Sequence, residues 1–408
     1  MSMFANQTVP TPKLSRLSAC VKWYPFYAMF SEQFARAVID SAKLSAGSTI
    51  LDPWLGVGTT IAVAAKCGHH AIGRDINPAM AVISRGRFAK SADAQYATDK
   101  VWQSISKKSV AISHVDPLLN WFAPQAAQEL RNWQRALDRN ISISADARDF
   151  VFTCLFDAAK VISRKSQSKN PTWRKRLPKK ECSRVSAATV RKLIIADASR
   201  RYDLLPSTTY VCPDIGLGCS TQINCKSESI DFILTSPPYC TRIDYAVTTQ
   251  IELAILGYSD CSLRSLRDAS MGTSTIRGQM VLSDQSEWGK YCNGLLNSIK
   301  EHKSKASQTY YLKTFLQYFS DLFNSLVEIR RTLKPSGRLA IVVQDSYYKE
   351  VRIDLALVVK QMCEHLDFTW IDQLDFMASR TMRGVNSKSR KYNSQVGGIE
   401  SVICFQKC

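Results

Sequence analysis

Residues 235–239 carry the clearest chemical signal in the sequence, because they combine a hydroxyl group, a rigid turn and an aromatic ring. They read Thr-Ser-Pro-Pro-Tyr and follow an apolar stretch, residues 230–235, with the composition of a buried β-strand. Two consecutive prolines must end that strand, because proline cannot donate a hydrogen bond to a neighbouring strand. The sequence therefore predicts a functional loop at the end of a strand, in which Ser236 and Tyr239 are available for chemistry.

A glycine-containing segment at residues 52–60 could hold a nucleotide-like ligand. It reads DPWLGVGTT and lies between an apolar stretch at residues 49–54 and a helical pattern at residues 61–67. Glycines in such a turn let the backbone approach a ligand at the amino end of the helix, although a tight turn without a ligand gives the same pattern. Asp75, at the end of the next predicted strand, can accept both hydroxyl groups of a ribose. Taken alone, Asp75 could equally cap the following helix.

The elements that must position these residues alternate between strand and helix. After the strand, turn and helix at residues 49–67, a second strand ends at Asp75, and Pro78 begins another helix. Apolar periodicity and turn residues predict four later elements: a helix at residues 311–333, a strand at 338–344, and closing strands at 368–376 and 400–407. This alternation predicts an α/β fold with a doubly wound, mostly parallel sheet.

The composition is that of a globular protein with a polyanionic partner. The chain has 408 residues, of which 45% are hydrophobic and 22% are charged, so one large domain with insertions or two domains are both reasonable. Lysine and arginine number 54 against 35 acids, a net charge of +19. Nucleic acid is the first partner that this charge suggests, and a merely basic surface is the alternative.

The cysteines and the amino-terminal segment indicate a reduced, metal-free protein. The 13 cysteines are scattered without a CxxC pair, which argues against a disulfide framework and against a zinc site. The amino-terminal segment lacks the continuous apolar core of a signal peptide, and no run of about 18 apolar residues occurs. We therefore expect a cytoplasmic protein without a metal.

Two stretches lie outside the alternation of strands and helices. The longer one, residues 87–206, has helical patterning, and its portion at 161–200 holds 12 lysines and arginines against two acids. A run of charge is usually a solvated surface, but basic residues around an aromatic side chain suit phosphate contacts and base stacking. We therefore predict nucleic-acid contacts at Trp173, Arg174, Lys175 and Arg176. The shorter stretch, residues 258–309, is polar and suggests no specific chemistry.

Several of these segments together resemble the motifs of the amino-group DNA methyltransferases. DPWLGVGTT and GRDINP resemble motifs I and II of that family, TSPPY resembles its catalytic motif IV, and KWYPFYAMFSEQFARAVI at residues 22–39 resembles its motif X. The resemblance implies the Rossmann-like fold of S-adenosylmethionine-dependent methyltransferases, with a closing antiparallel strand. It also implies a catalytic domain at residues 20–86 and 207–408, with target recognition in the insertion at 87–206.

The same resemblance implies S-adenosylmethionine as the cofactor and gives roles to the motif residues. The expected cofactor-binding residues are Tyr24, Asp52, Pro53, Gly56, Gly58, Thr59, Thr60, Asp75, Asn77 and Thr235. The expected catalytic residues are Ser236, Pro237, Pro238 and Tyr239. The family often has a further acid on the third strand, but residues 218–220 stand in that place here. The contact to the adenine ring is therefore unassigned, and Asp214 is a candidate substitute.

The catalytic motif suits methylation of an exocyclic amino group of a base. Such a nitrogen is conjugated with its ring and has little free lone pair, so acceptors that hold both N–H bonds favour a tetrahedral nitrogen. Ser236 and the carbonyl group of Pro237 can accept those bonds, and Tyr239 can stack on an extruded base. Cys240 is interpreted as structural, because no covalent intermediate is needed. A serine in the second motif position is found mainly in family members that methylate N4 of cytosine, which is the activity we expect.

Three other functions stay open on the sequence alone. The chain could methylate N6 of adenine, it could be an RNA base methyltransferase, or it could be an inert DNA-binding subunit that keeps the fold as a scaffold. DNA is the expected partner, and a restriction-modification or defence role would add a cognate restriction endonuclease. Arg242, just beyond the catalytic motif, and Arg383, in the basic loop before the last strand, are expected to contact DNA.

Overall fold

Nine strands are found in the part of the chain that the structure describes, and seven of them form one central sheet. The computed structural model describes residues 3–5, 8–12, 22–26, 29–105, 111–168, 173–206, 211–240, 243–278, 285–378 and 398–408. The strands are β1 (Thr49–Asp52), β2 (His70–Asp75), β3 (Asp214–Leu217), β4 (Ile230–Thr235), β5 (Leu333–Gln344), β6 (Ser346–Tyr348), β7 (Val351–Ile353), β8 (Phe368–Ala378) and β9 (Gly398–Lys407). β6 and β7 form a separate hairpin.

The order of the strands is that of a Rossmann-like, doubly wound sheet with an antiparallel last strand. The order is β3-β2-β1-β4-β5-β9-β8. β1 to β5 pair in parallel, while β9 is antiparallel to both β5 and β8. The chain starts in the middle at β1, runs outward to β3 and then returns to β4, so β1 and β4 flank the point where strand order reverses. In such sheets ligands bind beyond the carboxyl ends of the strands at this point.

Helices cover both faces of the sheet and fill the two insertions. They are α1 (Glu32–Ser41), α2 (Thr59–Lys66), α3 (Pro78–Gly86), α4 (Ser91–Ile105), α5 (Pro124–Arg139), α6 (Ala145–Ile162), α7 (Ala187–Tyr202), α8 (Tyr245–Thr248), α9 (Gln250–Ile255), α10 (Asp260–Ala269), α11 (Gly289–Glu301), α12 (Leu312–Thr332) and α13 (Leu355–His365). In the described residues, each helix falls short of the length or the apolar character that a membrane crossing requires.

β4 shows why the sheet is buried on both sides. Phe232 and Leu234 belong to the apolar cluster of α1 and α2, whereas Ile233 belongs to the cluster of α11, α12 and α13 on the other face. Side chains alternate between faces along a strand, and a central parallel strand covered by helices on both faces is therefore a continuous apolar run. The sequence of β4 has this character, and its position at the centre follows from it.

The α/β fold class predicted from the sequence is confirmed, with shifts at the ends of elements. β4 has the predicted bounds, and α12 begins and ends one residue inside its predicted range. β5 begins at Leu333 instead of residue 338. The pairing of β5 with β4 is irregular there, because Ile230 lies opposite Leu333 while Phe232 lies opposite Arg338. The turn residues before position 338, which suggested a loop, therefore lie within β5.

The insertion at residues 87–206 shares its apolar core with the rest of the protein. Its helices α4 to α7 form one cluster with residues of α3 and α9 and with Trp23. Ion pairs cross the same boundary: Arg85 of α3 contacts Asp149 of α6 at 2.6 Å, and Lys160 of α6 contacts Glu252 of α9 at 3.4 Å. The insertion is therefore packed against the sheet as part of one body, and its function in target recognition stays a prediction.

Candidate active site

The loops after β1 and β4 meet at the carboxyl edge of the sheet. Ile50 and Leu51 of β1 pair with Phe232 and Ile233 of β4, so the two strands end side by side. Beyond this pairing, the Thr235 hydroxyl group donates a hydrogen bond of 2.6 Å to the Asp52 carboxylate. The Thr60 hydroxyl group donates to the carbonyl oxygen of Leu234 at 3.1 Å. The glycine loop and the proline motif are therefore held against each other.

The glycine loop after β1 requires glycine at two positions. Gly56 and Gly58 have φ values of +52° and +77°, a left-handed conformation that other residues rarely adopt. A Cβ atom on Gly58 would lie 1.9 Å from the hydroxyl oxygen of Ser84. The loop therefore brings the backbone close to α3 and leads directly into the amino end of α2, which begins at Thr59.

Asp75, at the end of β2, joins the glycine loop to the start of α3. One carboxylate oxygen accepts the N–H of Gly56 at 2.8 Å, and the other accepts the N–H of Asn77 at 2.8 Å. Asn77 caps α3 by accepting the N–H of Ala79 at 3.1 Å, and its amide donates to the Thr249 hydroxyl group at 2.8 Å. Each Asp75 oxygen has a further lone pair, so the carboxylate can order the loop and still accept ligand hydroxyl groups.

The proline motif after β4 has a defined pattern of donors and acceptors. The Ser236 hydroxyl group donates to the carbonyl oxygen of Val342 in β5 at 3.1 Å, and the Tyr318 hydroxyl group donates to the carbonyl oxygen of Pro238 at 2.7 Å. In the described ranges, no protein group donates to the carbonyl oxygen of Pro237. Two acceptors are thus open in adjacent residues, the Ser236 oxygen and the Pro237 carbonyl oxygen.

Comparison with known proteins agrees with this geometry. The sequence model of the N6/N4 methyltransferases, described as DNA methylase, matches residues 10–85 and 230–408. The chain belongs to this DNA methylase family. It is a DNA methyltransferase, and S-adenosylmethionine is its cofactor. The resemblance that the motifs indicate is confirmed, and both the glycine loop and the proline motif lie within the matched segments.

The methylase also resembles individual proteins along most of its length. It is 25% identical to the Type II methyltransferase M.BsoBI of Geobacillus stearothermophilus, over 98% of this chain and 88% of that protein. It is 21% identical to the Type II methyltransferase M.AvaI of Nostoc sp., over 85% of this chain and 78% of that protein. A solved structure of geranyl diphosphate methyltransferase with GPP and sinefungin covers 93% of this chain and 82% of its own, at 7% identity and a TM-score of 0.30.

The residues at the glycine loop fit the adenosine part of the cofactor. The Thr59 hydroxyl oxygen is buried at the amino end of α2 and has no hydrogen-bond partner among the described residues. The Asp75 carboxylate retains acceptor capacity for two ribose hydroxyl groups. S-adenosylmethionine would supply a methyl group on a positively charged sulfur, which suits an edge that carries two carboxylates, Asp52 and Asp75. Within the described ranges, histidine, cysteine and acidic side chains form no group that could hold a metal ion.

Burial raises the pKa of both acids at this edge. The pKa of Asp52 rises to about 6 because its carboxyl group is desolvated, although hydrogen bonds from Thr235 and Trp54 oppose the shift. Desolvation also raises the pKa of Asp75 to about 6, against hydrogen bonds from Asn77 and Gly56. An acid whose pKa is higher in the folded state stabilises the fold below its unfolded pKa and loses this contribution as pH rises through the folded pKa.

The cofactor-free methylase should therefore gain more stability on mild acidification than the variant Asp52→Asn. Between pH 7.5 and pH 5, we expect the difference in unfolding free energy between the two proteins to change by about 1 kcal/mol in favour of the wild type. Urea denaturation at both pH values measures this, with the exposed Asp268→Asn as the control. Equal pH dependence of wild type and Asp52→Asn would contradict a raised pKa at Asp52.

Tyr24 and Pro53, which the motifs predict to bind the cofactor, are both buried among protein groups. Tyr24 is fully buried and donates to Glu252 of α9 at 2.7 Å, with the Lys160 amino group 3.8 Å from its ring centre. Pro53 is buried beside Asp52 in the turn after β1. These contacts give Tyr24 a structural function in joining α6 and α9 to the segment before α1, and its contact with the cofactor stays a prediction.

Asp214 is not placed to contact the adenine ring, so that suggestion from the sequence is wrong. β3 pairs in parallel with β2, and Asp214 lies opposite Ile72, whereas Leu217 lies opposite Asp75. Asp214 is thus at the amino end of β3, where its carboxylate pairs with Arg74 at 2.6 Å. The residue at the carboxyl edge is Leu217, with 59% of its surface exposed. An apolar side chain, not an acid, occupies the end of this strand.

The basic segment of the insertion lies beside the helices that follow the proline motif. The carbonyl oxygen of Arg174 accepts the Gln250 amide of α9 at 2.7 Å, and Arg176 pairs with Asp260 of α10 at 2.5 Å. Trp173 has 48% of its surface exposed, and Lys175 is exposed. We call residues 173–178 the basic strap. Two other predicted DNA contacts, Arg242 and Arg383, lie outside the described residues.

Four partners of the site were not indicated by the sequence. They are Thr249, Tyr318, Val342 and Glu400, which contact Asn77, Pro238, Ser236 and Tyr239 respectively. Each comes from a helix or strand distant in the chain. An indirect signal in the sequence exists for Glu400 alone. This residue begins the predicted closing strand at residues 400–407, which would lie beside the predicted strand at 338–344.

Proposed function

We propose that this methylase transfers a methyl group from S-adenosylmethionine to the N4 amino group of cytosine at a specific DNA sequence. The observation that carries the proposal is the hydrogen bond from the Ser236 hydroxyl group to the carbonyl oxygen of Val342. A serine hydroxyl group has one proton. Because Val342 takes it, the Ser236 oxygen is left to accept, as an amino group requires.

The two acceptors of the motif then act on a single nitrogen. The Ser236 oxygen and the Pro237 carbonyl oxygen would each hold one N–H bond of the target amine. In this arrangement the nitrogen lone pair is freed from conjugation with the ring and points away from both acceptors. The nitrogen forms the new bond to the methyl carbon while the carbon–sulfur bond breaks, and one N–H proton is then lost to an acceptor or to water. Tyr239 supplies a ring for stacking of the extruded base.

Cytosine is proposed over adenine because of the residue type in the second motif position. In the amino-group methyltransferases serine stands there mainly in cytosine-N4 enzymes, whereas adenine-N6 enzymes usually have aspartate or asparagine. The likeness to two proteins named Type II methyltransferases, over most of both chains, supports a site-specific function in a restriction-modification system. A cognate restriction endonuclease would then be the partner in the cell.

The proposal is tested by expressing the methylase with a plasmid library of random sequence and mapping the modified bases by sequencing. We expect one short sequence to be modified at cytosine. In parallel, the purified protein with labelled S-adenosylmethionine should label DNA, while tRNA and ribosomal RNA stay unlabelled. Labelling of RNA alone would contradict the proposal, and modification without sequence context would contradict its site specificity.

The basic strap is proposed to contact the phosphate backbone and to stack on a base. Replacing Arg176 with alanine should reduce the dependence of log Kd on log salt concentration by about 1, because one phosphate contact is lost. Its ion pair with Asp260 is exposed, so we expect little change in stability. Trp173→Ala should weaken binding by about 1–3 kcal/mol per stacked base.

Lys226→Ala is the matched control for the strap variants. Lys226 is exposed and precedes β4, so it lies at the edge of the sheet opposite to the proline motif. Fluorescence anisotropy with labelled DNA at several salt concentrations measures these effects. If Arg176→Ala and Lys226→Ala change the salt dependence equally, the strap is only a solvated basic surface.

A further inference from the structure

Glu400 lies at the same edge of the sheet as the catalytic motif, although it is distant in the chain. Glu400 lies near the start of β9 (Gly398–Lys407), opposite Gln344 at the end of β5. Since β9 is antiparallel to β5, the start of β9 meets the carboxyl end of the parallel strands. There the Glu400 carboxylate accepts a hydrogen bond of 2.9 Å from the Tyr239 hydroxyl group.

Tyr239 and Ser236 form a connected pair of hydroxyl groups. Their oxygens lie 3.4 Å apart. The Ser236 hydroxyl group donates to the nearer Val342 carbonyl oxygen at 3.1 Å and has the Tyr239 oxygen as a longer second acceptor, while the proton of Tyr239 is directed to Glu400. An ionised carboxylate can only accept, so the direction of the second bond is fixed. Because Glu400 takes the Tyr239 proton, Tyr239 does not donate to Ser236, and the Ser236 oxygen keeps lone pairs that suit a donor such as an amino group and disfavour a carbonyl group.

Tyr239 is also held rigidly by these contacts. Its phenol is bound at its far end by Glu400, while the preceding residue, Pro238, has its carbonyl oxygen bound by Tyr318 at 2.7 Å. Burial and the neighbouring Glu400 charge raise the pKa of Tyr239 well above its ordinary value, so the phenol stays protonated and donates. A ring fixed before the base arrives needs no ordering in the complex, which is the advantage of a preorganised site.

We propose that Glu400 is a positioning residue for methyl transfer, which fixes the Tyr239 ring and, by taking the Tyr239 proton, leaves the Ser236 oxygen as an acceptor for the target amine. The inference rests on the proposed transfer to an exocyclic amine, and it holds equally for cytosine and adenine. Burial raises the pKa of Glu400, although its hydrogen bond with Tyr239 lowers it. Protonation at acidic pH would remove the charge that orients Tyr239.

The test is a double-mutant cycle on the rate of methyl incorporation into DNA. Glu400→Ala and Tyr239→Phe should each lower kcat by about 10- to 100-fold, with the KM for S-adenosylmethionine unchanged within twofold. The double variant Glu400→Ala/Tyr239→Phe should be no slower than the slower single variant, because each change removes the same hydrogen bond, the one between Tyr239 and Glu400. Glu400→Gln, which keeps an acceptor oxygen, should recover most of the activity and should lose the acidic limb of the pH profile of kcat.

Asp375→Asn is the matched control in the same hairpin. Asp375 accepts hydrogen bonds from Ser401, the residue after Glu400, at 2.6 Å and from Gln373 at 2.8 Å, and in the described residues it makes no hydrogen bond to the proline motif. Its kcat should stay within twofold of the wild type. The positioning function would be overturned if the kcat losses of Glu400→Ala and Tyr239→Phe multiplied in the double variant. Wild-type activity of Glu400→Ala would overturn it as well. Total label in DNA is counted without regard to the base, so a wrong base assignment would leave this result unaffected.

Discussion

Replacing Ser236 with alanine should lower kcat for methyl transfer to DNA by about 100- to 1,000-fold, the loss expected when one preorganised hydrogen-bond partner of a reacting group is removed. The change takes away the oxygen that would hold the amine and leaves the turn intact, because the prolines and the Tyr318 contact to Pro238 are kept. The hydrogen bond to the Val342 carbonyl oxygen is lost as well. The cofactor affinity should stay within about twofold, since Ser236 is not part of the glycine loop.

Single-turnover kinetics with labelled S-adenosylmethionine measures this rate, and calorimetry measures cofactor affinity. Ser229→Ala is the matched control, because Ser229 precedes the same strand at its opposite end and its hydroxyl group donates only to Lys226 at 2.7 Å in the described contacts. A Ser236→Ala rate within threefold of the wild type would contradict the proposed function of this residue. Loss of both rate and cofactor affinity would instead indicate a collapsed loop.

Replacing Asp75 with alanine should weaken binding of S-adenosylmethionine by about 100-fold or more. Hydrogen bonds to a charged acceptor contribute about 1.5–3 kcal/mol each, and the variant loses those to the ribose. It also leaves the N–H groups of Gly56 and Asn77 without their acceptor, so the loop is no longer ordered for the ligand. Asp75→Asn should be intermediate, because an amide keeps one acceptor oxygen and loses the charge.

Isothermal titration calorimetry with S-adenosylmethionine gives these affinities directly. Asp214→Ala is the control on the adjacent strand: its carboxylate pairs with Arg74, its side chain is largely exposed, and it lies at the opposite end of β3 from the site. We expect its affinity to be that of the wild type within twofold. If Asp214→Ala weakens binding as much as Asp75→Ala, the placement of the cofactor at the carboxyl edge is wrong.

The sequence predicts well those features that depend on residues close together in the chain. Two prolines end β4 at Thr235, and the central position of β4 is visible in its uninterrupted apolar run. Gly56 and Gly58 mark the loop that needs positive φ angles. These signals are local, since they arise from backbone geometry and from burial of a single element, and they are sufficient to place the candidate site at one edge of a doubly wound sheet.

Contacts between distant segments could not be predicted in the same way. The partner of Ser236 is 106 residues away and the partner of Tyr239 is 161 residues away, and neither Val342 nor Glu400 differs in residue type from an ordinary strand residue. The register of β5 with β9 brings them to the motif, and no local pattern fixes that register.

Tyr24 shows the same limit for a residue that a motif did single out. Its position in the motif indicates a cofactor contact, but its hydroxyl group is bound by Glu252, 228 residues further on. The charges that surround it, Lys160 and Glu252, lie 3.4 Å apart, and they come from the insertion and from the helix after the proline motif. Periodicity within residues 22–39 carries no information about either partner.

The identity of the methylated nucleoside tests the central claim most directly. DNA modified by the purified methylase is digested to nucleosides and analysed by liquid chromatography with mass spectrometry, with DNA treated by Ser236→Ala as the blank. N4-methylcytosine as the product is the predicted result. N6-methyladenine as the only modified nucleoside would contradict the assignment to cytosine.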